Sequence, residues 1–102
     1  MAKTRLDFQT FLETLKGDRN VYFQPPESIQ LNYPAIVYHL SKIDNSHADN
    51  LPYMQGTGYQ IIYITKNPDD AMIKTLSKVA YCRFDRWYSS NNLNHYVYNI
   101  YY

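Results

Sequence analysis

Hydrophobic positions recur at helical spacing near the start of the chain. They repeat every three or four residues, which places them on one face of a helix: Phe8, Phe11, Leu12 and Leu15. Thr4 followed by Asp7 forms a capping pair before this run, and Gly17 after it is a natural helix stop. The pattern predicts a helix over about residues 4–16.

Runs of β-branched and aromatic residues predict strands in the next part of the chain. Residues 21–23 form a short apolar run that ends at Pro25-Pro26, and residues 35–40 form a longer one. Residues 59–65 are apolar at both odd and even positions, so we expect both faces of that strand to be covered.

A second helix is predicted from a start signal and an apolar face. Asn67 is read as the cap and Pro68 as the first helical residue, with two aspartates in the first turn. The predicted helix covers about residues 68–78, and its inward residues are Met72, Ile73 and Leu76.

The last quarter of the chain has the pattern of a hairpin over about residues 79–102. Residues 89–92 are a Ser-Ser-Asn-Asn turn between two extended segments. In the final strand Tyr96, Tyr98, Ile100 and Tyr102 share one face, and His95, Val97, Asn99 and Tyr101 share the other.

These elements predict one α+β domain over residues 1–102, with a mainly antiparallel sheet flanked by two helices. A polar connector over about residues 41–58 separates two of the strands. A connector this long in a small domain is often functional, and Leu51, Tyr53 and Met54 are its candidate contact residues.

Charge and composition disfavour several classes of function. The formal net charge of +1 comes with no basic run, which argues against a protein that grips nucleic-acid phosphates. No apolar stretch approaches the length of a membrane span. We therefore expect a protein made in the cytoplasm that does not insert into a membrane.

Candidate catalytic chemistry is sparse. Cys82 is the only cysteine, and the three histidines do not occur at the spacing of paired metal ligands. His47 with Asp44 and Asp49 could form a small metal-dependent hydrolase centre, which is kept as an alternative. The favoured interpretation is a protein that is not an enzyme and has no metal and no cofactor.

The tyrosine content indicates surfaces that contact other molecules. The chain has 12 tyrosines and 4 phenylalanines, and the tyrosine hydroxyl suits surfaces that are only half buried. Stacking on single-stranded nucleic acid is the rival explanation. An exposed aromatic strand also needs a cover for its edge, and another copy of the chain is the simplest one.

A set of short motifs extends from about residue 33 to the end of the sequence. They are YPAIVY at 33–38, KID at 42–44, ADN at 48–50, PY at 52–53, YQIIYI at 59–64, KNPD at 66–69, FDR at 84–86, NLNH at 92–95 and IYY at 100–102. In these motifs the chain resembles small tail completion, or tail terminator, proteins of long-tailed bacteriophages.

The resemblance implies a structural virion protein at the tail–neck junction. Such proteins form a ring, usually a hexamer, that caps the head-proximal end of the tail tube, ends tube polymerisation and provides the docking surface for the head. The implied partners are other copies of the chain, the major tail tube protein and the neck or connector proteins, with genomic DNA passing through the lumen. A neck adaptor or head-completion protein is the alternative within the same structural class.

A ring needs two different complementary faces on each subunit. We predict that the connector and the region from Phe84 to His95, together with the last strand, supply the contacts. The predicted interface residues are Asp49, Asn50, Tyr53, Met54, Asp85, Arg86, Trp87, Tyr88, Asn92, Asn94, His95, Tyr98 and Tyr101.

Overall fold

This computed structural model describes residues 4–26, 28–43 and 57–102, which contain two helices and five strands. In chain order they are α1 (Arg5–Lys16), β1 (Val21–Phe23), β2 (Ala35–Ile43), β3 (Thr57–Thr65), α2 (Ala71–Ser77), β4 (Cys82–Ser90) and β5 (Leu93–Tyr101). The predicted α+β class is confirmed.

The strands form one sheet in the order β1-β2-β3-β5-β4. β1 runs parallel to β2, and the three remaining neighbouring pairs are antiparallel. The sheet is therefore mainly antiparallel, as predicted. Of the described strands, β1 and β4 lie at its two edges.

Helix α1 begins and ends where its sequence indicates. The Thr4 hydroxyl accepts from the Asp7 amide, and the Asp7 carboxylate accepts from the Thr4 amide, which completes a capping box. Gly17 follows the helix with φ of 91°, and its amide donates to the Glu13 carbonyl over 2.8 Å. Glycine adopts this left-handed conformation without the strain that a Cβ causes, so the helix ends there.

The core lies between the two helices and one face of the sheet. Phe8 and Leu12 from α1 join Met72 and Leu76 from α2 in one cluster of buried side chains. The sheet contributes alternate residues of its central strands, which are mostly aromatic or β-branched: Ile36, Tyr38, Tyr59, Ile61, Tyr63, Tyr98 and Ile100. The tyrosines thus build much of the core, contrary to the expectation that they mark mainly half-buried surfaces.

Buried tyrosine hydroxyls find partners on the helices. The Tyr38 hydroxyl donates to Gln9 Oε1 and accepts from Arg5 Nη1, so it joins α1 to β2. The Tyr98 hydroxyl donates to the Ile73 carbonyl over 2.9 Å and joins α2 to β5. These bonds satisfy polar atoms that would otherwise be costly to bury.

Helix α2 starts later than its sequence suggests, so that prediction is wrong in detail. Asn67 caps a turn, in which its side chain accepts from the Asp69 amide. Asp70 is the actual N-cap, because its carboxylate accepts from the Met72 amide over 3.0 Å. The helix ends at Ser77, and Met72 and Leu76 are buried on its inner face as predicted.

Two further boundaries differ from the predicted ones. Residues 41–43 of the predicted connector belong to β2, and residues 57–58 belong to β3. The rest of the connector, residues 44–56, lies outside the described part. The hairpin turn contains only Asn91 and Asn92, with φ of 53° and 63°. Two successive positive φ values match the twist of a two-residue hairpin, so the strands continue up to the turn.

Candidate interaction surface

The edge strand β4 exposes almost its whole length. Every residue from Arg83 to Ser90 is exposed, and Cys82 is half buried. Two large aromatic side chains are about half accessible, Phe84 at 47% and Trp87 at 54%. Trp, Tyr and Arg are the residue types that contribute most to binding at protein interfaces, and this strand carries all three.

A β-bulge in β4 sets the direction of its side chains. Phe84 pairs with Tyr98 and Arg86 with Val97, so Asp85 is an additional residue without a partner on β5. Beyond the bulge Trp87 lies opposite Tyr96, on the core side of the sheet. Phe84 and Trp87 therefore share the helix side although they are three residues apart.

The opposite side of β4 is basic and aromatic. It carries Arg83, Arg86 and Tyr88, which pair with Asn99, Val97 and His95 of β5. Arg86 Nη1 lies 2.7 Å from Asp85 Oδ2, with both side chains well exposed. An exposed ion pair of this kind adds little to stability, so these charges are available to a partner.

Tyr88 and His95 form a flat aromatic surface on the same side. Their rings are stacked, with centroids 4.6 Å apart and planes 12° from parallel. His95 Nδ1 lies 3.1 Å from the Leu93 carbonyl, which can only accept, so Nδ1 carries the proton in this bond. The bond fixes the ring orientation and keeps the stacked pair in place.

The structure places the predicted interface residues in different environments. Asp85, Arg86, Trp87 and Tyr88 are exposed together on β4, and the turn residue Asn92 is also exposed. Asn94 and His95 are half buried, and Tyr101 is 43% exposed. The other predicted contacts lie outside the described residues: Asp49, Asn50, Tyr53 and Met54.

Tyr98 is a core residue, so its prediction as a partner contact requires correction. Its side chain has no exposed surface, and its ring packs edge-on against Phe84, with centroids 5.4 Å apart. Alternation along β5 grouped it with Tyr96 and Ile100 on one face, but only the packing of α2 against that face shows that the side chain is buried. Phe84 begins the predicted contact region but is not among the individually named residues, and Tyr81, which is 82% exposed, is a surface aromatic outside that region.

A groove of about 500 Å³ lies near the end of β3 and the start of α2. Leu31, Tyr33 and Pro34 line one side, and Lys66 and Asp70 belong to the other. The Asp70 carboxylate already accepts hydrogen bonds from Tyr63, Thr65 and the Met72 amide. Its role here is structural, since it holds the strand end against the helix start.

The described segments contain few groups suited to catalysis. Burial raises the pKa of the Cys82 thiol to about 11, which makes it a poor nucleophile. No group of three metal-ligating side chains occurs within residues 4–26, 28–43 and 57–102. The alternative hydrolase residues His47, Asp44 and Asp49 lie outside these ranges.

No helix in the described part of the chain is long and apolar enough to cross a membrane. In comparisons with known proteins, no family model matches the chain, and neither a curated protein nor a solved structure matches it.

Proposed function

We propose that this chain is a structural protein of a phage virion, which forms a ring on the head-proximal end of the tail tube. In this role it ends tube polymerisation and provides the docking surface for the head and neck. The partners are neighbouring copies of the chain, the tail tube protein and the neck proteins, and the genomic DNA passes through the ring.

The observation that carries this proposal is the exposure of β4. A nine-residue edge strand offers unpaired backbone groups together with Phe84, Trp87 and Tyr88. Such an edge favours association with another protein chain. The α+β fold, with its mainly antiparallel sheet and two helices, also agrees with what the resemblance to tail terminators implies.

The charge distribution on β4 supports a protein partner rather than nucleic acid. β4 carries two basic residues, Arg83 and Arg86, and one acidic residue, Asp85, which lies 2.7 Å from Arg86. Nucleic-acid binding surfaces need several cations to neutralise phosphates. A strand with mixed charges and large aromatic groups is better suited to the centre of a protein interface.

The experiment is to produce phage particles with Trp87→Ala in place of the wild-type chain. We expect headless tails with irregular length and few infectious particles, because the substitution removes the largest exposed side chain of β4. Tyr53→Ala in the predicted connector is expected to act in the same way. Normal particles from both variants would refute the proposal.

A matched control is Leu6→Ala on α1. Leu6 is 64% exposed, and α1 packs against β1 at the opposite edge of the sheet, so this variant tests loss of an exposed apolar group elsewhere. Labelling the wild-type protein on isolated assemblies separates the two structural roles. Its presence on headless tails supports a terminator, and its presence on tailless heads supports a neck adaptor instead.

A further inference from the structure

We infer that two copies of this chain pair through their β4 edges in a two-fold, antiparallel arrangement that joins their sheets. This goes beyond the proposed function, because a two-fold pair closes on itself whereas a ring needs head-to-tail contacts. In the free protein, this pairing would cover the β4 edge of each copy until the chain assembles on the tail.

The open edge creates the need for a partner. β4 is the last strand in the order of the described sheet, and alternate residues direct their N–H and C=O groups away from β5. The exposed aromatic side chains would make this edge prone to uncontrolled pairing. A defined partner that covers it removes that hazard.

The bulge favours a partner strand that carries the same additional residue. Before Asp85 the even-numbered Cys82 and Phe84 lie on the helix side, whereas after it the odd-numbered Trp87 does. A regular strand matches these faces on both sides only if Asp85 is left without a partner, as it is opposite β5. A second β4 carries the same additional residue, so every position of one strand, Asp85 included, has a partner on the other.

One register brings complementary residues together along the whole strand. It places Asp85 opposite Arg86 of the partner subunit, Phe84 opposite the partner's Trp87, and Arg83 opposite the partner's Tyr88. Each contact occurs twice because of the two-fold symmetry. The pair thus has two ion pairs between subunits at its centre, beside the Asp85–Arg86 pair within each chain. It also has two aromatic pairs on the helix side and two arginine–tyrosine contacts on the other.

In the main competing register, residues on the helix side again lie opposite residues on the helix side, but fewer contacts are complementary. It is centred on Tyr88, which would lie opposite the partner's Tyr88. Trp87 would then face the partner's Ser89, and Asp85 would lie beyond the paired segment. The position of opposite charges at Asp85 and Arg86 therefore favours the register centred between these two residues.

Charge reversal tests the pairing. Asp85→Arg and Arg86→Asp each place like charges opposite one another, and we expect each variant alone to dimerise roughly tenfold or more weakly than wild type. Mixed together, the two variants again bring opposite charges together and are expected to form a heterodimer. Both variants lack the ion pair within their own chain, so restoring that pair cannot explain the rescue.

The measurement is native mass spectrometry with sedimentation velocity, after circular dichroism has shown that each variant is folded. A wild-type monomer at all concentrations would overturn the inference. Dimers that persist in either single variant, or a mixture that remains monomeric, would also overturn it.

Cross-linking tests the register. In a Cys82→Ser background, Arg83→Cys chains mixed with Tyr88→Cys chains are expected to cross-link through a short bis-maleimide. Neither variant alone is expected to do so, because identical positions lie about 17 Å apart in this register. Cross-linking of Tyr88→Cys alone would show the competing register and refute the proposed one.

These tests are independent of the proposed function. They use only the purified chain, whereas the tail role is judged from phage particles. A dimer with the expected cross-links would support the pairing even if the variant phage particles were normal. Conversely, defective particles together with a monomeric wild-type chain would support the tail role and refute the pairing.

Discussion

The Tyr63 hydroxyl donates a hydrogen bond of 2.7 Å to Asp70 Oδ2, which ties the core face of β3 to the start of α2. Burial of this carboxyl acts to raise its pKa, but hydrogen bonds from Tyr63, the Met72 amide and Thr65 outweigh that effect and lower it. Burial, followed by the contact with Asp70, raises the pKa of Tyr63. The ionised Asp70 and the neutral Tyr63 thus stabilise each other.

We expect Asp70→Ala to lower the free energy of unfolding by about 1–2 kcal/mol at neutral pH, the usual cost of losing an N-cap. Because the folded-state pKa of Asp70 is below its ordinary value, its contribution is present above that value and is lost as pH falls through the folded pKa. Urea unfolding at neutral and acid pH measures both effects.

Asp70→Asn is the matched control, because asparagine still caps a helix but does not titrate in this range. The stability difference between wild type and this variant is expected to shrink as pH falls below the ordinary carboxyl range. A difference that stays constant with pH would contradict the assigned role of the ionised carboxylate.

The two helix starts show which parts of the fold the sequence could predict. Thr4, Asp7 and Gly17 act within a few residues of one another, so their local pattern was sufficient for α1. At α2, Asn67 and Asp70 are both good caps, and the bond from Tyr63 on the preceding strand distinguishes them. Tyr63 lies seven residues before Asp70, so the sequence signal of the helix start does not by itself contain this contact.

The interaction surface likewise has some features that the sequence indicates and others that depend on how strands and helices pack together. The mix of charge and aromatic residues around Trp87 could be recognised from sequence. The bulge at Asp85 could not, because it depends on the register with β5. The burial of Tyr98 likewise follows from α2 packing over that strand, as the bond to the Ile73 carbonyl shows.

Gly17→Ala tests the end of α1. We expect a loss of about 1 kcal/mol in the free energy of unfolding, because a residue with a Cβ is strained at φ of 91°. An added Cβ would meet nothing within 4 Å, so a steric clash does not contribute. Thermal unfolding measures the change.

Gly17→Asn serves as the comparison, since asparagine tolerates the left-handed conformation better than alanine does. It is expected to retain more stability than Gly17→Ala. Equal losses for the two variants would show that backbone conformation is not the source of the effect.

Tyr98→Phe tests the corrected role of this residue as part of the core. The substitution removes the hydroxyl that bonds to the Ile73 carbonyl, and we expect a loss of about 1 kcal/mol measured by urea unfolding. Tyr98→Ala also removes the buried ring and is expected to cost about 3–5 kcal/mol.

The position of Tyr98 also predicts what the conservative variant leaves intact. Since the side chain has no exposed surface, Tyr98→Phe is expected to leave self-association unchanged once the protein is folded. If Tyr98→Phe were as stable as wild type but associated more weakly, Tyr98 would have to be an interface residue after all.

Tyr102 closes the core near α1, although it lies just beyond β5. Its amide and carbonyl exchange hydrogen bonds with Thr57, and its ring lies with its centroid 4.9 Å from that of Phe8 and 5.2 Å from that of Phe11. We expect Tyr102→Ala to lower the free energy of unfolding by about 1–3 kcal/mol, since it removes an aromatic group packed against the core. Removing residues 98–102 is expected to prevent folding and assembly together.

Tyr101→Ala is the matched control, because the same residue type one position earlier points to the other face and is 43% exposed. Its expected effect on unfolding is within about 0.5 kcal/mol, as for other surface substitutions. The two variants thus differ only in which face of the sheet loses a tyrosine ring. Equal destabilisation by both, measured by urea unfolding, would contradict a specific contribution from the ring contacts of Tyr102 with Phe8 and Phe11.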